Sequence, residues 1–216
     1  MNHADANLAG SWAARLLRER PRQPDARSCG ASVLVVERAL RDDAYAQLLV
    51  TGVHPVTGWA RPGPLADRFR DEVLAMHRRT TGPITPSGRA QLPWPRALGT
   101  PPWAVAWQVS TPGRRYVVRW ARSPGPLLEL ITRRVASGTA VPLYVVSRRL
   151  PRHVVLVTDA DAGGLCCYEP HSGDVRRVRR EAFLDGTLSV AGWPRPWCAV
   201  VPSAASPRQE ERRSPA

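Results

Sequence analysis

Helical spacing of apolar positions dominates the first half of the chain. From Ala6 to Arg20, Leu8, Trp12, Leu16 and Leu17 fall near one face of a short amphipathic helix. Pro21 and Pro24 then break the chain into a loop. Helical spacing resumes at Ser28, with Val33, Val36 and Leu40 on one stripe, so Cys29 stands in a first helical turn and Ser28 is its expected cap. Residues 51–64, rich in Gly and Pro, read as loop. Leu65, Phe69, Val73 and Met76 predict a helix over 65–79, and 80–102 is loop again. Thr100 is expected to cap a helix through Trp103, Val105, Ala106 and Val109, with two prolines in its first turn. A strand over 115–121, a helix over 126–137 ended by Gly138, and a strand over 141–147 follow.

The period then shortens. Segments 153–159, 165–169 and 174–178 read as strands joined by turns at 161–164 and 170–173, an antiparallel meander. A small helix or turn over 183–188 precedes a last strand over 197–201. The expectation is an α+β domain over 1–202, with N-terminal helices packed on a C-terminal antiparallel β-sheet and a Pro-rich insert at about 53–102. Residues 203–216, made of Ser, Ala, Pro, Arg, Glu and Gln, are expected to be a disordered tail.

At 216 residues and 43% hydrophobic content, the chain can bury a core. No apolar run approaches the ~18 residues that span a bilayer, and the N-terminus lacks a secretory pattern. A cytoplasmic protein without a membrane partner is expected. The net charge of +13 would suit a phosphate-bearing partner. However, its basic residues are all Arg, scattered or paired without a dense tract or interleaved aromatics. A solvated basic surface is therefore the preferred reading over nucleic-acid binding. The four cysteines do not make a disulfide framework in a chain this long. Cys166 and Cys167, vicinal on a strand, face opposite ways, and no CxxC spacing occurs, so neither structural zinc nor another cofactor is expected.

Candidate chemistry lies in four residues. Gln23 stands six positions before Cys29, His153 opens the apolar run Val154-Val155-Leu156-Val157, and Glu169 follows sixteen residues after His153. A thiol becomes a strong nucleophile when an imidazole takes its proton and a carboxylate orients that imidazole. A side-chain amide supplies a donor for an oxyanion. Asp159 and Asp161 are alternative acids and His171 an alternative base, while His54 and His77 carry no supporting pattern.

The Gln-(five residues)-Cys-Gly segment and the His-(fifteen residues)-Glu-Pro segment resemble the papain-like cysteine peptidases of the C39-like group. The resemblance implies a papain-like fold with Cys29 as nucleophile, His153 as general base, and Glu169 in the position where the family usually has Asp. Gln23 would be the oxyanion donor together with the backbone N–H of Cys29. The activity implied is hydrolysis of a peptide or protein substrate through a thioester. Acyl transfer or deamidation on the same triad remains an alternative, as does a catalytically inactive binding module.

Overall fold

The computed structural model describes residues 10–85, 87–88, 90–147, 153–190 and 192–203. The expected tail beyond residue 203 and the first part of the expected N-terminal helix lie outside them.

The helices are α1 (Trp12–Arg18), α2 (Cys29–Arg41), α3 (Asp43–Thr51), α4 (Leu65–Thr81), α5 (Pro102–Val109), α6 (Pro124–Ala136) and α7 (Arg180–Leu184). The strands are β1 (Tyr116–Trp120), β2 (Val141–Val146), β3 (His153–Asp161), β4 (Gly164–Glu169), β5 (Asp174–Arg179) and β6 (Arg195–Pro202). They form one antiparallel sheet in the order β1-β6-β2-β3-β4-β5. The fold is α+β, with the predicted meander intact from β3 to β5 and β2 paired antiparallel to β3. The last strand does not extend the meander but returns to pair between β1 and β2.

Helices cover both faces of the sheet. On one, α2 packs Val33, Leu34 and Val36 with Val154, Leu156 and Tyr168. On the other, Leu128 and Ile131 of α6 and Phe183 of α7 join Val155, Val157, Leu165 and Cys167. This explains why β3 reads as a continuous apolar run: a strand with two dry faces has no solvent side for polar residues. The same alternation sends Cys167 into the second core and leaves Cys166 half-buried on the opposite face, as the vicinal pair predicts.

Helix α2 is buried almost all round, from Cys29 through Val36. Its three valines are mediocre helix formers, so contact with the sheet on one side and α4 on the other must stabilise it. The apolar periodicity continues past Leu40, but the helix stops at Asp42. There Asp42 Oδ1 accepts from the Tyr45 N–H at 3.0 Å and starts α3 as a separate helix.

Two expected caps are corrected. Ser28 does precede α2, but its hydroxyl donates back to the Asp25 carbonyl at 3.3 Å and caps no helical N–H. Thr100 does not cap α5, which begins with Pro102 at its first position after Pro101. Instead the Thr100 carbonyl accepts from Tyr144 Oη at 2.9 Å, and its hydroxyl lies 3.4 Å from that of Thr80.

Candidate active site

Cys29 is the first residue of α2 and is 5% exposed. Because Ser28 turns away, no side chain caps the first-turn N–H groups, and the positive end of the helix is left to the sulfur and to any oxyanion beside it. Gly30 is set against Thr100: a Cβ there would come within 2.7 Å of the Thr100 Cβ. Alanine at position 30 gains about 1 kcal/mol of helix propensity but overpacks a buried contact, costing about 1–3 kcal/mol. Gly30→Ala is therefore expected to lower the melting temperature, and adding Thr100→Gly should restore it. Thermal unfolding of the single and double variants checks this.

Gln23 sits in the loop before α2, and that loop is tied to the turn after β4. Tyr168 Oη donates to the Pro21 carbonyl at 2.6 Å, the Gln23 N–H to the Pro170 carbonyl at 2.8 Å, and Arg22 Nε to the Ser172 carbonyl at 3.0 Å. Arg20 also pairs with Asp174 at 2.6 Å. The approach requires glycine at 173, which has φ +78° and where any Cβ would overlap the Arg20 carbonyl. The Gln23 side chain donates from Nε2 to the Asp25 carbonyl at 2.7 Å, which fixes the amide orientation and leaves one N–H for another acceptor. Its Oε1 is buried without a partner.

His153 opens β3 and Glu169 closes β4, so the antiparallel pairing brings both to one end of the sheet. Leu156 is opposite Tyr168, and one further step sets Val155 opposite Glu169. His153 and Glu169 are then diagonal neighbours on the same face, a separation that longer side chains span. The glutamate side chain is long enough to span it. Glu169 Oε1 lies 2.7 Å from His153 Nε2. The carboxylate also accepts from the His171 N–H at 2.7 Å and the Ser172 N–H at 2.9 Å.

The electrostatics follow from those partners. Burial alone would raise the Glu169 carboxyl, which is 2% exposed, but the hydrogen bonds from His153, His171 and Ser172 prevail and hold it down at about 2. Burial likewise opposes a charged His153, which is 7% exposed, but hydrogen bonds with the Cys29 thiol and with Glu169 raise it to about 9. The imidazole is thus held between sulfur and carboxylate. With Nε2 turned to Glu169, Nδ1 is the ring nitrogen left for Cys29.

Sequence reasoning missed one neighbour. Trp193 stacks over the His153 ring, with centroids 6.4 Å apart and planes 12° from parallel. The sequence showed only a tryptophan between two turn-forming residues, with no signal of what it would cover. The alternative groups are placed elsewhere or otherwise used: Asp161 pairs with Arg177, and His171 contributes its backbone N–H to Glu169. Among the other thiols, burial pushes Cys166 up and Cys167 far up. Among the described residues, no helix is long and apolar enough to cross a membrane.

No protein-family model matches the chain, and no curated protein matches it. Among the solved structures similar to the chain are two peptidase domains. One is the peptidase domain of Streptococcus mutans ComA, 14% identical, with TM-score 0.40, covering 85% of this chain and 98% of that one. The other is the peptidase domain of Streptococcus ComA, a bi-functional ABC transporter involved in quorum sensing, 14% identical, with TM-score 0.41, covering 85% of this chain and 97% of that one. At that distance, the residues themselves must carry the assignment.

Proposed function

We propose that this protein is a cysteine-dependent amide or peptide hydrolase of papain-like design, with Cys29, His153 and Glu169 as its triad. The observation that carries this reading is His153, bound to a buried carboxylate on one side and to a thiol at a helix N-terminus on the other. In the reaction the Cys29 thiolate attacks a substrate carbonyl carbon, and the π electrons move to the carbonyl oxygen. The remaining Gln23 amide N–H and the Cys29 backbone N–H stabilise that oxyanion. Collapse of the tetrahedral intermediate breaks the C–N bond, and the imidazolium gives its proton to the leaving amine. A water then attacks the thioester while His153 takes its proton. Collapse releases the acid and regenerates the thiolate.

Treatment with a peptide vinyl sulfone tests the site directly, because sulfur adds to this electrophile where an adjacent imidazolium can protonate the product carbanion. The expected result is modification at Cys29 and not at Cys166, Cys167 or Cys198, read by peptide mass mapping. Equal modification at all four, or none at Cys29, would sink the reading. Gln23→Ala tests the oxyanion donor: kcat/KM on a peptide substrate should fall by ~100-fold to ~1000-fold. The alkaline limb of the pH profile should stay where it was, since His153 and Glu169 keep their contacts.

A further inference from the structure

Pro21 and Pro24 enclose only Arg22 and Gln23. The first proline locks its own φ, and the second confines Gln23 to extended backbone. A loop this stiff has few ways to turn, so whatever holds its start also aims the Gln23 side chain. That start is Pro21, a buried residue whose carbonyl accepts from Tyr168 Oη at 2.6 Å.

Among the described residues, Tyr168 is the one side chain sealed from water that joins this loop to β4 and its following turn. The Arg20 pair and the Arg22 bond are exposed, and such contacts contribute little. Removing the Tyr168 hydroxyl, by contrast, would leave the Pro21 carbonyl without its partner in a buried setting. The place of Tyr168 on β4 gives the bond a further meaning. Successive strand residues face opposite ways, so Tyr168 packs in the core under α2 while Glu169, next along, reaches His153. One strand end thus holds the acid on one face and the loop of the oxyanion donor on the other. A core tyrosine that merely satisfies its hydroxyl is the plainer reading, and it predicts a loss of stability alone.

We propose that Tyr168 is a positioning residue for the oxyanion donor. Its hydroxyl fixes the Pro21 carbonyl, and through the loop between the two prolines it sets where the Gln23 amide N–H points. The effect on catalysis rests on the hydrolase reading, whereas the hold on the loop does not.

The test removes one oxygen. Tyr168→Phe is expected to lower kcat on a peptide substrate by about tenfold to a hundredfold, with KM within about twofold. In a Gln23→Ala background the same substitution should cost less than about twofold, because the donor it aims is already gone. Alkylation of Cys29 by iodoacetamide is a displacement at a saturated carbon, needs no oxyanion donor, and should keep its rate. Amide exchange at the Gln23 N–H, followed by NMR, should quicken by about tenfold or more. The His171 and Ser172 N–H groups that hold Glu169 should stay protected. Tyr45→Phe, which takes a buried residue's hydroxyl from Glu72, is the stability control and should retain kcat. Losses that multiply in the double variant, an equal loss in Tyr45→Phe, or alkylation that slows with kcat would reduce Tyr168 to a stability residue and overturn the proposal. Unchanged exchange at Gln23 would overturn it too. If the wild type cleaves no peptide while the Gln23 N–H still loosens in Tyr168→Phe, the hydrolase reading fails and the hold on the loop stands.

Discussion

Cys29→Ala is expected to reduce amide hydrolysis to the uncatalysed background while leaving the fold in place. The reaction has no other route, because the bond that splits the amide step in two is formed by this sulfur. The fold should survive because the substitution removes a single atom from a core that also includes Ala31, Val33 and Leu34. The loss should be about 1 kcal/mol of burial. Cys167→Ala is the matched control: that thiol is fully buried in the opposite core and should lose comparable stability with activity retained. Peptide cleavage and thermal unfolding, measured on both variants, separate the two effects. Retained turnover in Cys29→Ala would remove the mechanism.

Glu169→Gln is the second large effect, and it should act on rate, pH profile and stability together. The amide cannot stabilise an imidazolium, so a loss on the order of 10⁴-fold in kcat is expected, by analogy with neutralising the acid of a serine triad. The alkaline limb of kcat/KM should sit near pH 9 in the wild type, where His153 loses its proton. In the variant it should move down, toward the ordinary imidazole range. The stability profile follows from the same pair. Glu169 is held at about 2 against an ordinary 4.5, so its contribution is present above 4.5 and lost as pH falls through 2. His153 is held at about 9 against an ordinary 6.5, so its contribution is complete below 6.5 and lost as pH rises through 9. Maximum support is therefore expected between pH 4.5 and 6.5. The His153–Glu169 contact contributes to both shifts, while the His171 and Ser172 N–H groups act on Glu169 alone and Cys29 on His153 alone, so the two contributions do not simply add. Denaturant unfolding across pH should show the acid limb flattened in Glu169→Gln.

The elements whose signals are local were legible in the chain. Periodicity located α2, α4 and α6, and the turns at 161–164 and 170–173 located the hairpins of β3, β4 and β5. Features set by distant partners were not. The placement of β6 between β1 and β2 depends on pairing across much of the chain, which no local pattern encodes. Ser28 and Thr100 have the residue types of helix caps, but their groups are taken by Asp25, Thr80 and Tyr144. The break at Asp42 was readable, since an Asp three residues before Tyr45 is an N-cap signal, but the continuing apolar stripe masked it. At the candidate site, residue types together with the resemblance of two short motifs favoured Gln23, Cys29, His153 and Glu169 over Asp159, Asp161 and His171. The diagonal register that makes a glutamate fit, and the tryptophan over the imidazole, needed the folded chain.

The ties between the loop 20–23 and the turn 170–174 have a practical consequence for engineering. They join the first and last thirds of the molecule, so foreign sequence inserted into either segment would prise the two apart and disturb donor and acid at once. Grafts belong instead near Gly58, where an added Cβ would meet nothing within 4 Å.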